Sequence, residues 1–253
     1  MSVAVVRLMQ EQTLFHSAED SFEMAELWRR LVGGQLFVSS SYCAAGRCFA
    51  ELETRHGPLR PASRLVKNLE RVFLGTSQKV LVHELGVTNA TIATGCARAL
   101  STMTNDQLVS RAPILIVMAA HAAHGAKLEP ARVDAQLEGT RRLISCVLPG
   151  ASLATRLTPC EFAVARLLIE GKTHVEIAAA RGTAMRTTAN QLASIFSKLG
   201  VSGRGELRSK AIAEASSSPA LGNAAALPLV RSSVRRAPPP ADCQELTHVA
   251  VLM

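Results

Sequence analysis

Residues Leu157 to Leu207 read LTPCEFAVARLLIEGKTHVEIAAARGTAMRTTANQLASIFSKLGVSGRGEL, and their start and stop signals agree with their hydrophobic spacing. Thr158-Pro159-Cys160-Glu161 has the form of a capping box with proline at the first helical position, so a helix starts here. Thr173-His174-Val175-Glu176 repeats that pattern and starts a second, shorter helix. Gly182 ends it, being free to take the positive φ of a tight turn. Beyond it, Thr188, Leu192, Ile195 and Leu199 fall on one face of a third helix, predicted over 184–199. Gly200 closes that helix, and Arg204-Gly205-Glu206-Leu207 opens a fourth that runs to about Ala213. A short scaffold helix, a glycine turn and a longer amphipathic helix make a helix-turn-helix.

The segment resembles the C-terminal DNA-binding domain of the LuxR/GerE (NarL-like) regulators. The matching residues are Leu157-Thr158-Pro159, Glu161, Glu170-Gly171, Glu176-Ile177-Ala178, Gly182, Arg186-Thr187, Asn190, Ile195-Phe196, Lys198-Leu199-Gly200-Val201, Arg204 and Glu206-Leu207. The resemblance implies a bacterial transcriptional regulator that reads the major groove with its third helix. It further implies a DNA contact at Asn190 and a dimer contact on the fourth helix. Where the family usually has lysine and often has histidine, this chain has Ala189 and Gln191.

The residue types support that reading on their own terms. Asn190 and Gln191 lie mid-helix, and a side-chain amide bonds an adenine edge in a bidentate way. Gln191 reads equally as a solvated polar residue at the edge of the core. Arg186 and Thr187 begin the recognition helix and suit phosphate contact. Lys172, Thr173, Lys198 and Arg204 are placed for the flanking backbone. Between Glu176 and Glu206 there is no acidic residue, while Arg181, Arg186, Lys198 and Arg204 contribute four positive charges. Four phosphate contacts imply a log–log salt slope of about −3.6.

Composition is consistent with this. The 253 residues carry a formal net charge of +8, with a pI near 9.6, 48% hydrophobic residues and only 4% aromatics. Such a chain favours alanine- and leucine-rich helices over a large aromatic-filled β sandwich. Its basic balance suits a nucleic-acid partner without proving one. Six cysteines are scattered with no C-x-x-C pair, which fits free thiols in a reducing cytoplasm better than a disulfide framework or zinc site. The N-terminus lacks the form of a signal peptide, and the most apolar uncharged run, 112–126, is too short for a bilayer.

The rest of the chain divides by pattern. Residues 1–34 hold one helix, roughly Ser21 to Leu31, with Met24, Leu27, Trp28 and Leu31 on its apolar side. Residues 35–58 and 130–150 read as β-hairpins around turns at Ala44-Ala45-Gly46 and Glu138-Gly139-Thr140. Residues 63–121 repeat the opening stretch at an offset of 96: Gly75 aligns with Gly171, Gly86 with Gly182, and Thr91, Ala93, Ala97 and Ser101 with Thr187, Ala189, Ala193 and Ser197. Ile92, Cys96, Ala99 and Met103 reproduce the spacing of 188, 192, 195 and 199. This predicts a diverged tandem repeat. It lacks the excess of basic residues and carries Gly95 inside its third helix, at a cost of about 1 kcal/mol relative to alanine. Pro113 to Ala123, apolar on nearly every side, is predicted to be buried within the chain or against a second protomer. Residues 214–253, rich in Ala, Ser and Pro, are predicted to be a disordered tail.

The fold expected is therefore mainly α with small β-hairpins: two tandem LuxR-type helix-turn-helix domains, winged-helix-like, with 156–213 as the DNA reader. Double-stranded DNA is the expected partner, with RNA polymerase and a second copy of the chain as further candidates; no membrane, cofactor or metal is called for. The protein is expected to be cytoplasmic and not an enzyme. His121 and His124 lack a nearby acid or thiol to complete a metal set, and Gly150-Ala151-Ser152 starts a nucleophile-elbow pattern it does not finish. No acidic cluster or strand-terminal Asp marks a receiver domain. The alternative is an interaction protein whose degenerate helix-turn-helix repeats bind a component of the transcription machinery.

Overall fold

Ile114–Ala123 is the most apolar helix of the chain, and every residue from Ile114 to His121 is buried. A helix without a polar face needs neighbours on all sides. In the computed structural model, which describes residues 21–55, 62–105, 109–137 and 139–217, it has them. Numbering elements along the chain, β1 is Ser21–Phe22, α1 Met24–Val32, β2 Leu36–Ala44, β3 Arg47–Thr54, α2 Ser63–Phe73, α3 Gln78–Leu85, α4 Asn89–Ser101 and α5 Ile114–Ala123. Then follow β4 Ala131–Gln136, β5 Arg141–Val147, α6 Pro159–Ile169, α7 His174–Arg181, α8 Met185–Leu199 and α9 Arg204–Ser217, with 3-10 turns at Val109–Arg111 and Ala151–Thr155. Helix α5 packs against α1, α2, β3 and α9, so the surface that covers it belongs to the chain itself.

Both predicted hairpins form, but they are not separate wings. They join edge to edge through β3 and β5 into one antiparallel sheet of order β1-β4-β5-β3-β2. The register runs from Arg47 opposite Val147 to Glu53 opposite Arg141. A lone hairpin leaves a row of unpaired N–H and C=O groups on each edge, and this pairing satisfies one edge of each. The first hairpin turns on Ala45 and Gly46, with φ of 49° and 78°, as a two-residue type I′ turn requires. The expected helix start at Ser21 is corrected as well. Ser21 and Phe22 instead extend the sheet opposite Arg132 and Ala131, and α1 begins at Met24. Its predicted apolar side, Met24, Leu27, Trp28 and Leu31, is buried, and Trp28 Nε1 donates to Glu70 Oε1 at 2.9 Å.

Three helices of 63–101 and three of 159–199 start 96 residues apart, pair by pair. Ser63 and Pro159 start 11-residue helices, Gln78 and His174 start 8-residue helices, and Asn89 and Met185 start the longer ones. Ser77 and Thr173 cap equivalent helices through their hydroxyls. Gly86 and Gly182 close them at φ 61°, ψ 32° and φ 60°, ψ 35°. The predicted inner faces, Ile92, Cys96, Ala99, Met103 and Thr188, Leu192, Ile195, Leu199, are all buried. Gly95 has a packing reason: a Cβ there would meet Leu65 Cδ2 at 3.1 Å, so glycine lets α4 close on α2. Helix α9 runs on to Ser217, so residues 214–217 of the expected tail are helical; the first twenty residues and the tail beyond 217 lie outside the described residues.

His121 and His124 each bond a carbonyl: Nε2 of His121 donates to Phe73 O at 3.0 Å, and Nδ1 of His124 to Ala120 O at 2.9 Å. Burial lowers the His121 pKa, opposed by the carbonyl and reinforced by His124. A base with a depressed folded pKa binds fewer protons folded than unfolded, so its contribution is present above the unfolded value, about 6.5, and is lost as pH falls below it. Unfolding midpoints in urea should therefore decline from pH 7.5 to 5.5. In His121→Gln that part of the slope should flatten; an unchanged slope would assign it elsewhere.

Candidate nucleic-acid interface

Local chemistry builds α6 to α9 as the sequence predicts. Thr158 N–H donates to Glu161 Oε2 at 3.0 Å while Glu161 N–H donates back to Thr158 Oγ1 at 3.4 Å. The second box closes likewise, Thr173 N–H to Glu176 Oε2 at 2.7 Å and Glu176 N–H to Thr173 Oγ1 at 3.2 Å. Thr183 and Thr188 hydroxyls meet at 3.2 Å across the turn, tying it to the buried start of α8. Ala178, mid-scaffold, is 5% exposed and lets α7 lie close to α8.

Helix α8 has two distinct faces. Thr188, Leu192, Ile195 and Leu199 are buried, whereas Arg186, Thr187, Ala189, Asn190 and Ala193 are exposed. The exposed set is the N-terminal half of the helix, the part a helix-turn-helix presents to base edges. Gln191 sits between the faces, half-buried, with its Oε1 buried and unpartnered. Lys172 is exposed at the turn into α7, next to half-buried Thr173. The Thr173 oxygen accepts from the Glu176 N–H as the cap, and the Thr173 hydroxyl also bonds the Glu176 carboxylate.

Lys198 and Arg204 have protein partners. Lys198 Nζ lies 2.7 and 2.8 Å from the two carboxylate oxygens of Glu161, which also accepts from Ser194 Oγ at 2.8 Å. The Lys198 ammonium first, then the Thr158 N–H and the Ser194 hydroxyl, hold the Glu161 carboxyl down at about 2. Arg204 donates to Gly171 O at 3.0 Å and Lys172 O at 2.7 Å, which ties the start of α9 to the turn before α7. Burial lowers its pKa. Sequence alone places both cations toward phosphate because their partners are remote in the chain. It also passes over two apolar side chains at the rim, Val175 at 63% and Met185 at 47% exposure, each of a kind that meets a thymine methyl.

A capped helix-turn-helix with an exposed recognition face defines a DNA-binding class of domain. Residues 155–211 match the family model of bacterial regulatory proteins, luxR family (GerE). This stretch is accordingly a LuxR-family helix-turn-helix, of the kind found in DNA-binding regulators. No curated protein and no solved structure matches the chain. Among the described residues no helix is long and apolar enough to cross a membrane.

The Glu161 pocket has a pH signature. Its folded pKa lies below the ordinary 4.5, so the stabilisation is complete above pH 4.5 and fades as pH falls toward 2. The Tm difference between wild type and Glu161→Gln should be largest near neutrality and close between pH 4.5 and 2. A difference that persists at pH 2.5 would mean that packing, and not charge, holds this corner.

Proposed function

We propose that the chain is a transcription regulator that reads double-stranded DNA in the major groove with α8. The observation that carries this is the free face of α8, with Arg186, Thr187 and Asn190 exposed beside each other on a helix anchored by its opposite side. In this reading Asn190 contacts a base edge, while Arg186, Thr187, Lys172 and Thr173 contact phosphates. Gln191 orients from the edge of the core. Lys198 and Arg204 act through the protein, by fixing α6 to α8 and α9 to the α6–α7 turn.

We further infer that residues 63–121 are a diverged copy of the 156–213 helix-turn-helix domain, packed against it. Leu108-Val109-Ser110-Arg111-Ala112 reads like Leu207-Arg208-Ser209-Lys210-Ala211. Contacts between the halves are reciprocal: a Cβ on Gly75 would lie 3.2 Å from Ser209, and one on Gly171 would face the Arg111 backbone at 3.7 Å. Arg208 Nη2 donates to Ala112 O at 2.6 Å. On α9, the helix expected to form a dimer contact, Leu207, Arg208, Ala211 and Ile212 are buried against the chain's own α2, α5, α6 and 3-10 turn at Ala151–Thr155. The internal copy thus takes the place of a second protomer at α9, and one chain presents one recognition helix to one half-site.

The competing reading, a module for a protein partner, is favoured by the exposed Val175 and Met185 and by the commitment of two cations within the fold. Anisotropy with a fluorescent DNA pool selected on the full chain separates the two. With Lys198 and Arg204 bonded within the fold, the cations assigned to phosphate are Lys172 and Arg186, so the log–log salt slope should be about −1.8, short of −3.6. Arg186→Ala should weaken all sequences alike and flatten the slope by about 0.9. Asn190→Ala should cost about 1–3 kcal/mol of discrimination at one base position. Failure to enrich any sequence at low salt would overturn the DNA reading and promote the protein-partner one.

A further inference from the structure

Three cysteines, two of them five residues apart across a hairpin and the third on a distant strand, lie side by side in the sheet. Cys43 on β2 faces Cys48 on β3, and Cys48 faces Cys146 on β5. Directly opposed residues of antiparallel strands have Cα atoms about 4.5–5.5 Å apart, inside the range that a disulfide spans. The Sγ atoms of Cys43 and Cys48 are already 2.8 Å apart, against a bond length of about 2.05 Å. Cys146 points its thiol at Met118 Sδ, 3.8 Å away, on the apolar α5.

The three differ in access. Cys48 and Cys146 are 2% and 3% exposed, while Cys43 is half-buried. Hydrogen bonds with Cys146 and Cys43, then burial, push the Cys48 pKa up, so Cys48 is held as a thiol. Cys43 and Cys48 border a cavity of about 240 Å³ whose wall includes Tyr42, Arg111, Glu170 and Lys172. The cavity is wide enough for a small oxidant and polar enough to hold one. Its Glu170–Lys172 wall is the turn between α6 and α7, the entry to the helix-turn-helix.

We propose that Cys43 and Cys48 are a reversible dithiol site whose substrate class is a small hydroperoxide, with Cys43 as the attacking sulfur. The Cys43 thiolate takes the distal oxygen: an S–O bond forms, the O–O bond breaks, and the departing alkoxide or hydroxide leaves as alcohol or water after protonation. Cys48 then gives up its proton and attacks the Cys43 sulfur. The S–S bond forms, the S–O bond breaks and the hydroxyl leaves as water. Two thiols lose two electrons together and the hydroperoxide gains them. An added dithiol reverses the step by exchange.

Trypsin cleavage after Arg47 separates the two sulfurs, which makes the test direct. The purified full chain is treated with hydrogen peroxide, free thiols are blocked with a maleimide, and the digest is analysed by mass spectrometry with and without dithiothreitol. The expected product is Leu31–Arg47 disulfide-linked to Cys48–Arg55, present only before reduction. In Cys43→Ser, Cys48 should stay fully maleimide-reactive after denaturation at the same dose. Since the linked peptide is sought first in the unaltered chain, a variant that misfolds does not spare the proposal. Two results would overturn it: oxidation confined to the exposed Cys160, or a link between Cys48–Arg55 and Leu143–Arg156 with Cys43 left free.

Discussion

Burial of α5 on every side is the constraint on which the rest depends. A ten-residue helix with Ile, Leu, Ile, Val and Met in succession is insoluble on any surface, so its neighbours must close around it. The sheet covers it through β3, the N-terminal helix α1 through its Leu27–Leu31 side, and α2 and α9 complete the shell. Removing any one would expose apolar area on the order of a binding patch. The helix-turn-helix is thereby not an appendage. Its last helix is part of the wall around α5, and its first is tied to the same core through Val164, Leu168 and Ile169.

In the helix-turn-helix the charges divide between the fold and the surface. A guanidinium or ammonium bonded within the fold has fewer N–H donors left for phosphate. At Lys198 the fold takes precedence: Glu161 caps α6, and its carboxylate, nearly enclosed, needs a cation beside it. At Arg204 two backbone carbonyls at the end of α6 have no helical partner and take the guanidinium instead. The exposed Lys172 and Arg186 lie where α7 and α8 begin, where the helix dipoles also favour an anion.

Much of this was legible in the chain because the signals are local. Capping boxes at Thr158 and Thr173, the glycine at 182 and the heptad-like spacing of 188 to 199 lie within a few residues of what they determine. So do the two hairpins and the buried nature of 114–121. What was not legible is what depends on partners distant in sequence. Nothing in residues 35–58 says that their free edge pairs with β5, and an unpaired edge is equally compatible with a wing. Lys198 is a surface cation by pattern and becomes a structural one through a residue 37 positions away. The cysteines are scattered in the chain, and only strand register makes neighbours of 43, 48 and 146.

The same sheet orders the assembly of the molecule in time. Each hairpin and each helix-turn-helix closes over short loops, but pairing β3 with β5 joins Arg47 to Val147 across the whole first helical block. Non-local closures of this kind are what slow a folding reaction, since chain entropy is lost before contacts return it. During synthesis β3 must wait, with its backbone edge unpaired, until β5 has emerged. The helices that lie between them in the chain, α2 to α5, are all made in that interval. The apolar helix around which the finished core is built is thus made before the strand that closes the sheet.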